Sequence, residues 1–214
     1  TTQSRSSAAS DVYKRQYQKS LPMSNALTIP RSTTWEALQK SSNLAAVITL
    51  ATGLSSTNAE LRHLCLQSLL ARNEEAARRE IVLNWEHYDE KNKGLLLSKR
   101  MQFGELTKSL LIGGSLSEKK VALAAIAALD IHDALEEILE LVVDPSHALC
   151  VQATECLTLM CVRWGAQARS GKDVPTIRGR MLDCLSDKLV LFRQHESQSL
   201  VDAWLSLVHW DDAR

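Results

Sequence analysis

The sequence predicts an all-α superhelix, a solenoid of antiparallel helical hairpins, and three observations carry that prediction. Nine-residue apolar stretches recur along the chain, each is accompanied by a second amphipathic stretch, and residues that start helices separate them. No run of alternating β-branched residues points to a sheet.

The recurring stretches are "LRHLCLQSL" at 61–69, "VALAAIAAL" at 121–129 and "LCVQATECL" at 149–157. Each opens on a large apolar residue, carries a small one four positions on (Cys65, Ala125, Ala153), and closes on a small residue followed by Leu. Positions i, i+4, i+7 and i+8 share one helical face, and small residues in its middle let a neighbouring helix approach closely. The starts lie 60 and 28 residues apart, which predicts a unit of roughly 30 residues with one degenerate copy between the first two. Before the third stretch, "DALEEILELVV" sets Leu135, Ile138, Leu139, Val142 and Val143 on one face, and "TIRGRMLDCL" does the same with Ile177, Met181, Cys184 and Leu185. The predicted unit is therefore a helical hairpin.

Helix starts are read from capping chemistry. Thr33 with Glu36, Thr57 with Glu60, Ser115 with Glu118 and Asp133 with Glu136 have the capping-box spacing or its Asp variant. Asp144–Pro145 reads as an N-cap followed by proline in the first turn, and Gly113–Gly114 as a left-handed helix end. None of the four prolines interrupts a periodic stretch. About five hairpins are expected over 33–214, with a long loop near 165–175 and a disordered tail over 1–32.

The hairpin unit, the "DPSHAL" start at 144–149 and the apolar, small, small-Leu stretches resemble HEAT-type repeats, in particular the short bacterial units. The resemblance covers about residues 40–160 and, more weakly, 174–208. It departs where a basic residue usually follows the first apolar one: only Arg62 does so, with Ala122 and Cys150 in the matching places. Segment 84–103 fits the pattern poorly.

The opening "TTQSRSSAASDVYKRQ" lacks the apolar centre of a secretory signal and fits a transit peptide only loosely. Residues 1–16 resemble the translated sequencing-adapter remnants found at the ends of reading frames assembled from environmental DNA. That resemblance implies that they are not native, and that the genuine protein starts near Tyr17, at Met23 or further upstream.

Composition narrows the function classes. Twenty-five basic residues balance twenty-five acidic ones, so no global field draws the chain to nucleic acid or an anionic membrane. No apolar run reaches the roughly 20 residues of a membrane span. The five cysteines are an odd count in a chain large enough to fold without staples, which predicts a reducing, cytoplasmic setting.

Motifs for chemistry are scarce. The spacing of Cys150, Cys156 and Cys161 is not that of a zinc site, and Cys65 and Cys156 occupy slots that Ala fills elsewhere, so these are read as small core residues. His132 and His147, near predicted helix starts, are expected to be exposed, and "IGGSLSE" lacks the lysine of a phosphate loop. No catalytic residue, metal or cofactor is assigned. Acid-rich "DALEEILE" reads as a solvated face, and Trp164, Trp204 and Trp210 as core or as inter-repeat contacts.

Two classes of function remain. The first is a non-catalytic protein-binding scaffold whose second helices line a concave wall, with Arg62, His63, Gln67, Lys119, Lys120, Gln152 and Glu155 as the outward-facing partner-binding residues. A basic loop holding Arg163, Arg169, Lys172, Arg178 and Arg180 is a second candidate, for a phosphate or an acidic segment. The alternative class, drawn from the HEAT resemblance, is an enzyme on such a frame, like alkylpurine DNA glycosylases or bilin lyases. Neutral charge and the lack of basic and aromatic interleaving argue against nucleic acid. The last stretch, "LVDAWLSLVHW", carries Val201, Trp204, Leu205 and Val208 at helical spacing, which predicts either self-association through an uncapped repeat or packing back onto 177–189.

Overall fold

Eleven α-helices and two single 3₁₀ turns, with no strand, are found among the described residues. The computed structural model describes residues 32–171, 175–190 and 197–208. All of these belong to the unit Arg31–Arg214, one of two units into which contacts divide the chain. The expected tail and adapter-like segment, Lys172 and Trp210 lie outside the described residues.

The helices are α1 (Ser32–Lys40), α2 (Leu44–Leu54), α3 (Ala59–Leu70), α4 (Glu75–Leu83), α5 (Glu90–Ser98), α6 (Gly104–Gly113), α7 (Leu116–Leu129), α8 (Leu135–Val143), α9 (Cys150–Arg169), α10 (Pro175–Val190) and α11 (Gln198–Leu207). The 3₁₀ turns, Trp85–His87 and Arg100–Gln102, flank α5. Consecutive helices pair as α2 with α3, α6 with α7, α8 with α9 and α10 with α11. Every extensive helix contact joins elements at most three helices apart in the chain. From α6 onward two rows form: first helices α6, α8 and α10 pack in sequence, and second helices α7, α9 and α11 do the same.

Small residues set how closely these helices pack. Cys65, Ala125 and Ala153, the fourth-position residues of the three stretches, are all buried, as are the closing Leu69, Leu129 and Leu157. A Cβ placed on Gly53 of α2 would overlap the Cys65 sulfur, and one on Gly165 of α9 would overlap the Ser206 carbonyl oxygen of α11. Glycine is required at these crossings because neighbouring atoms occupy the space a side chain needs.

Where the sequence predicts a degenerate copy, the chain forms α4, the two 3₁₀ turns and α5. There the Tyr88 hydroxyl donates to the Ile81 carbonyl at 3.0 Å, Trp85 meets Tyr88 edge-on, and buried Asn92 meets His63 of α3 at 2.7 Å. These polar contacts stand beside the buried Ile81, Val82, Trp85 and Leu96.

Several helix-start expectations are corrected. Ser115 and Glu118 form the full capping box. At α3 the cap is Asn58 rather than Thr57, its side chain accepting from Glu60 and Leu61 N–H groups. Thr33 lies inside α1, and α8 begins at Leu135 behind Ala134, leaving Asp133 without a capping role. Asp144 ends α8 and turns its carboxylate onto the Ser146 N–H and hydroxyl, so the N-cap of α9 is Leu149. Gly114 is extended (φ −74°, ψ 160°) rather than left-handed; a Cβ there would strike the Leu110 carbonyl.

Candidate functional site

The two helical rows expose different chemistry. The first row is laced by ion pairs: Lys108 of α6 to Glu137 of α8 at 3.2 Å, and Glu140 of α8 to Lys188 of α10. Hydrogen bonding to Glu137 holds the Lys108 ammonium above its ordinary range. Further acids, Glu136, Asp183 and Asp187, are exposed along the same row. These ion pairs link α6 to α8 and α8 to α10 beside the buried Leu139, Met181 and Leu185.

Exposed apolar side chains stand singly in the first row, as Ile112 on α6 and Val190 at the end of α10, and are grouped in the second. Val151, Leu159 and Val162 of α9 are 66%, 56% and 49% exposed, and Leu205 of α11 is 60% exposed. Glu155, Leu159 and Val162 follow one another at i, i+4 and i+7, so they form one ridge. Beside it, α7 offers Lys120 and Ala124, both exposed. Between the helices runs a groove of about 220 Å³ lined by Lys120, Ala124, Ala127, Gln152, Glu155 and Leu159, among others.

Four of the seven partner-binding candidates face outward in some degree along this row, and three of them meet. Lys120, Gln152 and Glu155 line the groove, while Lys119 is half-buried on α7. Gln67 is exposed on α3. Arg62 and His63 are corrected: Arg62 donates to the Ser56 carbonyl at 2.7 Å and approaches Asp89 at 3.7 Å, and His63 pairs with Asn92. Their side chains tie α3 to the start of α5.

The basic segment is also corrected, because it is not one loop. Arg163 and Arg169 belong to α9, which runs to Arg169, and Arg178 and Arg180 belong to α10. The apolar period of the third stretch simply continues through Met160, Cys161 and Trp164, all buried, and carries the helix past the expected loop start. Arg163 folds inward, donating to the Ala127 carbonyl at 2.9 Å and lying 3.4 Å from Asp130.

The remaining expectations divide. Burial pushes the Cys65 thiol up to about 11 and those of Cys156 and Cys161 up to about 12, so at neutral pH these are packed thiols rather than nucleophiles. His132 is largely buried, edge-on to Trp164 at 5.9 Å, because it follows the buried turn that ends α7. Trp204 is half-buried and donates to Ser186 at 3.2 Å. Leu200, Ala203 and Leu207 bury the opposite face of α11 against α9 and α10, so this helix packs backward along the chain. No three His, Cys, Asp or Glu side chains gather as a metal site, and no helix is long and apolar enough to cross a membrane, among the described residues.

No family model matches this chain, and no curated protein or solved structure matches it.

Proposed function

We propose that the chain is an α-α superhelix of HEAT-like hairpins serving as a non-catalytic protein-binding scaffold, with the row of second helices as its binding face. The observation that carries this reading is the contrast between the rows. The first row is rich in charge, with ion pairs from α6 to α8 and from α8 to α10, and its exposed Ile112 and Val190 lie singly, whereas the second row turns a continuous ridge of Leu159 and Val162, with Glu155, toward solvent. Apolar side chains grouped in this way are a feature of interaction surfaces. Residue pairing between near neighbours in the chain supports the stacked architecture, because repeat arrays make contacts in that order. Five free thiols support a reducing compartment, and we take the cytoplasm as the setting.

The test is affinity capture with the full chain as bait, comparing Leu159→Glu in the second row with Asp187→Lys in the first. Loss of the captured protein with Leu159→Glu alone is the expected result. Loss with Asp187→Lys alone would overturn the choice of face.

A further inference from the structure

The groove between α7 and α9 carries an unpaired charge on each lip. Lys120 on α7 and Glu155 on α9 are exposed, line the groove together and join no ion pair among the described residues. Ion pairs nearby join Arg79 to Glu118, Lys108 to Glu137 and Lys188 to Glu140, and none of them reaches into the groove. Size is divided between the lips in the same way as charge. The α9 lip bears the bulky, exposed Leu159, and the α7 lip exposes Ala124 beside Lys120, with Leu123 and Ala127 buried at its base.

Such a surface is complementary to itself. One half carries a cation and small side chains, and the other carries an anion and a large one. A half-turn about an axis running along the groove exchanges the halves, laying ridge on shelf and cation against anion. Isologous contacts work by this exchange, residue i meeting j and j meeting i. A zero formal net charge leaves no overall repulsion between copies.

The geometry points to a second copy of this chain as the occupant of the groove. Each Leu159 rests on the partner's Ala124, and each Lys120 meets the partner's Glu155. This inference rests on the reading of the second row as the binding face and names what binds there. A helix from a different protein would need the apolar ridge alone, and exchanging the two charges within this chain would not restore it.

Sedimentation equilibrium of the full chain over a range of concentrations tests the pairing. Wild type is expected to reach twice the mass of one chain, Leu159→Glu and Lys120→Glu to remain monomeric, and the double variant Lys120→Glu/Glu155→Lys to recover the dimer. Circular dichroism melts of each variant check that the fold is kept; Lys120 and Glu155 are exposed, so the charge variants remain informative even if Leu159→Glu unfolds. A monomeric wild type, or a double variant no more associated than Lys120→Glu, would overturn the proposal. If wild type is monomeric while Leu159→Glu abolishes capture of another protein, the copy is wrong and the face stands. If wild type dimerises and is blocked by Asp187→Lys instead, both are wrong.

Discussion

Trp164 donates its indole N–H to the carboxylate of Asp130 at 2.9 Å, tying α9 to the residue that ends α7. Asp130 is buried and left-handed (φ 58°, ψ 48°), a conformation that few side chains other than Asn and Asp adopt readily. Arg163 at 3.4 Å and Arg100 at 3.5 Å supply the countercharge. One carboxylate thus joins α7, α9 and the 3₁₀ turn before α6.

Asp130→Ala is expected to cost about 3 kcal/mol, because it strands the buried indole N–H and puts alanine in the left-handed conformation. Trp164→Phe, which removes the donor and some volume, is expected to cost about 2 kcal/mol. Denaturant melts of both single variants and the double variant should give a coupling energy of about 0.5–3 kcal/mol. Strict additivity would show that the hydrogen bond contributes nothing to the junction of α7 and α9.

Two glycines give opposite expectations for the same change. Gly165→Ala places a Cβ against the Ser206 carbonyl and should destabilise by about 1–3 kcal/mol, since backbone rather than a flexible side chain must move. Gly94 is inside α5, and nothing lies within 4 Å of the point where a Cβ would stand, so Gly94→Ala should stabilise by about 0.5–1 kcal/mol. Thermal melts of the pair compare them directly.

Ala125 is fully buried in the small-residue slot of α7. Ala125→Leu should overpack it by about 1–3 kcal/mol, while Lys91→Ala, at an exposed position on α5, should change stability by less than about 0.5 kcal/mol. A neutral Ala125→Leu in chemical denaturation would mean that this seam is looser than its burial indicates.

The seam was legible in the sequence because a helical face repeats at fixed spacing, so Cys65, Ala125 and Ala153 announce themselves by position alone. The caps were less legible. Thr57 and Asn58 are adjacent and both can cap, and it is the Asn58 side chain that accepts from the Glu60 and Leu61 N–H groups. Arg62 and His63 looked outward because their partners, Asp89 and Asn92, lie in the irregular segment far along the chain. Likewise, nothing in the periodicity links Trp164 to Asp130 across 34 residues, and the groove exists only because α7 and α9 are neighbours in space.

Glu118 makes a pH prediction. Hydrogen bonds from the Ser115 N–H and hydroxyl, and then Arg79, hold its carboxyl below the ordinary carboxylate range. A depressed folded-state value means that its stabilisation is present above the unfolded-state value and is lost as pH falls through the folded one. Wild type should therefore melt above Glu118→Gln at neutral pH, and the difference should shrink on acidification. A difference that grows as pH falls would contradict the assigned cause.

The binding face is tested most directly by a photo-crosslinking amino acid placed at position 159 on the second row and, separately, at position 187 on the first. The full chain is irradiated in its native cell extract, and adducts are resolved by mass. The account predicts adducts from position 159, to a second copy or another protein, and none from position 187. Adducts from position 187 with none from position 159 would contradict it.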